Sequence, residues 1–136
     1  MAGPSSKSRH DGRRGPPMSQ AHALVGQVAL VLASVAAIWS VVLAITRRPV
    51  GSLFLGNAVW VGLAVVVAAF LGTATAVLVA PPGDALHVVY GVLAVALLPG
   101  AALIASSRPA DDRAVVAAAA SIVLVILLFR LLQTGA

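Results

Sequence analysis

Four long apolar runs, none containing an acid or a lysine, limit what this chain can fold into. A helix needs about 20 apolar residues to cross the hydrocarbon core of a bilayer. The first run extends from Ala21 to Ile45 and stops at Thr46-Arg47-Arg48-Pro49, where two charges and a proline end both the run and the helix. The second runs from about Leu53 to Val79 and stops at Ala80-Pro81-Pro82-Gly83, with Gly62 and Gly72 as places to bend. The third follows Asp84, an N-cap residue, and covers 85–106, with a kink expected at Pro99-Gly100. The fourth runs from Ala114 to Leu132, after a polar turn from Ser106 to Arg113.

Composition agrees. Charged residues make up 10% of the chain, against roughly 25% in a soluble domain, too few to clothe a surface in water. The expected fold is therefore all-α: an integral membrane four-helix bundle over 21–136, up-down-up-down because the connections are short. Residues 1–20, rich in Gly, Pro, Ser, Lys and Arg, read as a disordered basic tail. A cleaved signal peptide fits less well, because its apolar run would continue through Ile38-Trp39 to Ile45. Arg13-Arg14 before Gly-Pro-Pro is a poor twin-arginine export signal.

Small residues recur at four-residue spacing as Ala29/Ala33/Ala37, Ala68/Gly72/Ala76 and Ala96/Gly100. Such seams let membrane helices approach closely. They suit packing within the bundle, against a second copy, or against another membrane protein, although alanine is also simply frequent here. The lipid bilayer is the certain partner. The net charge of +5 sits in the tail and at helix ends, so it does not point to nucleic acid.

Positive charges in short loops mark the cytoplasmic side. Lys7, Arg9, Arg13, Arg14 and Arg130 stand on the N-terminal side against Arg47, Arg48, Arg108 and Arg113, which decides nothing. A start at Met18 would leave Arg130 alone against four. That count favours a multi-pass protein of the cell membrane with its N-terminus outside.

Polar groups within spans are costly and are functional candidates by default. His22 opens the first span and His87 the third, so the two imidazoles lie at similar depth near one membrane face. Each is followed four residues later by glycine, Gly26 and Gly91, on the same helix face. Arg130 returns to this face at the end of the fourth span. Two imidazoles at equal depth are what a b-type haem needs for axial ligation. A porphyrin edge over Gly26 and Gly91 would turn its propionates toward Arg130, with Asp84 steadying His87. The same residues also have a plain structural account: interfacial histidines, an N-cap, packing glycines and an arginine that reaches for the interface.

The stretch Phe70-Leu71-Gly72-Thr73-Ala74-Thr75-Ala76-Val77, then Pro81-Pro82 and Leu86-His87, resembles part of the heme A synthase family. His22-Ala23-Leu24-Val25-Gly26 is similar to that family's other ligand helix. The resemblance covers about half of the chain and implies His22 and His87 as axial ligands in one half of such a protein. The chain departs from the family in having Ala23 where an arginine is common, and in lacking the catalytic glutamate and the outer-loop cysteines. It therefore implies a haem-binding bundle rather than heme A synthesis.

Other classes fall away. A small multidrug exporter needs a membrane glutamate, and the chain has none. Ser34, Ser40 and Ser121 lie in apolar helices, where hydroxyls bond back to their own backbone rather than act as nucleophiles. No catalytic set emerges. Two readings remain: a haem protein for electron transfer or haem handling, and a non-catalytic membrane scaffold or accessory subunit that packs through its Ala/Gly seams.

Overall fold

A computed structural model describes residues 17–78 and 84–134, in four helices: α1 (Pro17–Ile45), α2 (Ser52–Leu78), α3 (Ala85–Ser106) and α4 (Ala110–Thr134). The tail expected over 1–20 lies outside the described residues as far as residue 16. From Pro17 onward it is helix, because proline suits a first helical position where no N–H partner is required. α4 likewise begins earlier than its apolar run. Asp111 and Asp112 fall in its first turn, where negative charge complements the exposed N–H groups of a helix start. Asp84 caps α3 by accepting from Leu86 N at 2.9 Å. The helix continues through Pro99 to Ser106.

All four helices are long and apolar enough to cross a membrane, with mean hydropathy from 2.3 to 2.8. Their outward faces are apolar over their whole length: Ile45, Leu53, Phe70, Val77 and Leu103 are each more than 70% exposed. In water such a surface would aggregate, whereas lipid is its natural solvent. The protein is a small multi-pass integral membrane protein.

α1 is the hub. It packs on α2 and on α4, α3 packs mainly on α4, and α2 and α3 touch least; α1 and α3 face each other diagonally. Trp39 late in α1 meets Phe54 early in α2, while His22 early in α1 reaches Ala68 late in α2, so these two helices run antiparallel. His87 early in α3 meets Thr134 at the end of α4. Ala29, Ala33, Ala36 and Ser40 form the buried stripe of α1, the helix that packs on both α2 and α4, and Ala114, Ala118, Ser121, Leu124 and Leu128 are buried along α4. The stripe advances by four, three and four residues because a helix turns every 3.6, so Ala36 is buried where constant spacing selects Ala37. The expected Ala96/Gly100 seam is not a packing face: Ala96 is exposed and a Cβ on Gly100 would meet nothing within 4 Å. Ala94 is the buried small residue of α3.

Ser34 and Ser40 bond back to their own helix, as expected of serine in apolar spans. Ser34 donates to Leu30 O at 2.8 Å and Ser40 to Ala36 O at 2.7 Å. Asn57 does not find such a solution: its Nδ2 is buried and has no hydrogen-bond partner among the described residues. An unmade bond of this kind costs about 1–3 kcal/mol. Asn57→Leu, close in shape and with no donor to satisfy, is expected to raise resistance to unfolding by about 1 kcal/mol in a detergent titration. A lower midpoint would show that the amide has a partner.

Arg47 ends α1 with φ 52°, the left-handed conformation that usually falls to glycine. Arg48 N closes the turn on Leu43 O at 3.0 Å. An L-residue with a side chain pays a steric cost there, so Arg47→Gly is expected to stabilise the fold by about 1 kcal/mol, read in the same titration.

Candidate functional site

His22 stands in the second turn of α1, half-buried, with its Nδ1 2.9 Å from the carbonyl oxygen of Ala68 on α2. A carbonyl only accepts, so Nδ1 carries the hydrogen and donates. One turn beyond Ala68 lies Gly72. A Cβ there would come within 2.9 Å of His22 Cε1 and 3.4 Å of its Nδ1. The glycine is a flat seat on which the imidazole rests while it reaches Ala68.

His87 is in the first turn of α3, with Nδ1 3.3 Å from Thr134 Oγ1 on α4. The Thr134 hydroxyl gives its own hydrogen to Arg130 O at 3.0 Å. Each imidazole is thus tied through Nδ1 to a neighbouring helix, and His22, whose partner only accepts, keeps an Nε2 lone pair. The two rings lie 6.0 Å apart between centroids with their planes at 67°. They bridge the diagonal of the bundle at one end, joining α1 to α3 where the backbones do not meet.

Fixing an imidazole through Nδ1 so that Nε2 points elsewhere is the usual way a protein orients a histidine ligand. The described residues include no group of three or more His, Cys, Asp or Glu suited to a metal ion.

No protein-family model, curated protein or solved structure matches this chain. The heme A synthase resemblance therefore stands on the quoted residues alone.

The other sequence candidates fall in different places. Gly26 lies against Leu132, whose Cδ2 would be 3.4 Å from an added Cβ, so it serves α1–α4 packing. Gly91 has nothing within 4 Å and leaves open space one turn below His87. Arg130 is exposed; its Nη1 donates to Gln133 Oε1 at 3.4 Å. Its side chain lines a groove of about 660 Å³ between α1 and α4, with Leu30, Ser34, Val125 and Phe129 below it. Neither histidine lines that groove. Asp84 is engaged as the α3 cap, and it is Thr134 that meets the His87 Nδ1.

Sequence reading missed Ala68, Thr134 and the seating role of Gly72. The Ala68 contribution is a backbone carbonyl, which leaves no signature in residue type. Thr134 lies just beyond the end expected for the fourth helix. Gly72 was legible as a small residue, but its partner sits on another helix.

Proposed function

We propose that this membrane protein holds a b-type haem between His22 and His87, for electron transfer or for haem handling. The supporting observation is the pair of imidazoles, each anchored through Nδ1 by a different neighbouring helix, with ring centroids 6.0 Å apart at one end of the bundle. The residues present suit such a group. His22 and His87 would be the axial ligands, and the sparse α2–α3 contact and open space at Gly91 give room on that side. When bound, haem supplies one-electron chemistry, and the chain supplies ligand placement and a low-dielectric setting. Ala68 and Thr134 hold the imidazoles against rotation, and Gly72 keeps the His22 seat clear. In the bilayer we place the N-terminus outside, with Arg47, Arg48, Arg108 and Arg113 toward the cytoplasm.

The test is an absorption spectrum of the detergent-purified protein incubated with haem, oxidised and then dithionite-reduced. A sharp Soret band with resolved α and β bands on reduction is the expected result, the mark of a six-coordinate low-spin centre. A protein that stays colourless sinks this reading.

A second reading, a non-catalytic scaffold or accessory subunit, is favoured by α3. Its Ala96 and Gly100 pack against nothing within the bundle, which leaves a small-residue face for a second copy or another membrane helix. A colourless protein that runs as a stable oligomer is the outcome that selects it.

A further inference from the structure

At the end of the bundle away from the histidines, the α1–α2 connection borders a groove of about 360 Å³. Its floor is Trp39, Leu43 and Phe54, and its rim carries Arg48 and Ser52. Trp39 and Phe54 meet edge to face at 5.9 Å with planes at 90°, so the floor is braced by two rings from different helices. Arg48 and its neighbour Arg47 are both exposed, and neither has a carboxylate partner among the described residues. The acids at this end, Asp111 and Asp112, open α4 instead. Arg113 turns its Nε to Arg108 O at 3.2 Å and adds a further positive charge at this end.

Arg47 occupies a left-handed position better suited to glycine, so a cation is carried there at a cost in stability. The groove lies where a span leaves the hydrocarbon, the depth of lipid headgroups, and tryptophan is at home at that depth. A fixed apolar floor below, with unneutralised guanidinium groups on the rim, matches a molecule with an anionic head and an apolar tail. The bilayer supplies that chemistry.

We propose that this groove binds one anionic phospholipid of the surrounding membrane. Arg48, supported by Arg47, attracts its phosphate-bearing head, and Trp39, Leu43 and Phe54 accommodate the start of its acyl chains. The proposal is independent of the histidine pair, which lies at the opposite end. Each basic residue at a membrane surface favours an anionic over a zwitterionic lipid by about fivefold.

Tryptophan fluorescence tests it. The chain has two tryptophans, and Trp60 is 63% exposed on the lipid side of α2. In the full chain carrying Trp60→Phe, Trp39 is the sole reporter. The protein is reconstituted in vesicles of phosphatidylcholine and phosphatidylglycerol, with brominated acyl chains on one lipid or the other as quencher. The expected result is that brominated phosphatidylglycerol quenches Trp39 with an apparent preference of at least about fivefold over brominated phosphatidylcholine at equal mole fraction. Arg48→Gln should lower that preference about fivefold and Arg48→Lys should keep it, each variant being checked for unchanged helicity. Equal quenching by the two lipids overturns the proposal, as does a preference that Arg48→Gln leaves intact.

Discussion

His87→Ala is expected to remove the low-spin haem spectrum altogether, and His22→Ala to do the same. With one imidazole gone, the remaining axial position is open, so any residual haem should show a broad, shifted Soret band without resolved α and β bands. The double variant should bind at least about 100-fold more weakly, beyond the 10–100-fold typical of losing only an orienting partner. Fold and site are separable in this experiment. The histidine bonds to Ala68 and Thr134 are worth about 1 kcal/mol each, so the variants should retain their helicity and elute as the parent does. Unchanged bands in both single variants would place any haem elsewhere.

Gly72 carries the second large effect. An added Cβ would stand 2.9 Å from His22 Cε1, closer than carbon atoms tolerate, so the imidazole must leave its seat and lose its bond to Ala68. Two opposing terms act on stability. Alanine gains up to about 1 kcal/mol over glycine in a helix, while overpacking costs about 1–3 kcal/mol. Gly72→Ala should therefore change unfolding little while weakening haem binding at least about tenfold, since His22 is displaced. Gly72→Val, with more bulk at the same point, should both destabilise the fold and abolish the low-spin spectrum. Gly56→Ala on the same helix, where an added Cβ meets nothing within 4 Å, is the control and should do neither. Full haem affinity in Gly72→Val would show that the His22 seat has no bearing on binding.

The membrane architecture was legible because the bilayer imposes one length and one composition on every span, and the four apolar runs satisfy both. The ends were less legible. Pro17 and the Asp111-Asp112 pair look like chain breakers when hydropathy alone is counted, yet each suits the first turn of a helix. Burial was partly readable: Ala29 and Ala33 are fully buried as their spacing suggests. Ala96 and Gly100 have equally good spacing and face outward, because no sequence pattern says which side of α3 meets α4. His22 and His87 come together as their equal depth implied. What anchors them, a carbonyl, a late threonine and a glycine on another helix, depends on three-dimensional neighbours and has no local sequence mark. Asn57 passed unnoticed because one amide scarcely alters the hydropathy of its run.

The partners of α1 also set an order of events in the making of this protein. Of the four helices α1 is made before the others and can pair at once with α2, yet it also packs on α4, the last of the four to be made. Until α4 arrives, one side of α1 faces lipid that fits it poorly. The histidine centre has the same timetable, since its contributors are scattered from His22 to Thr134 and the support for His87 comes from the final turn of α4. Such long separation along the chain slows assembly. The imidazole pair is therefore completed only once the last span is in place.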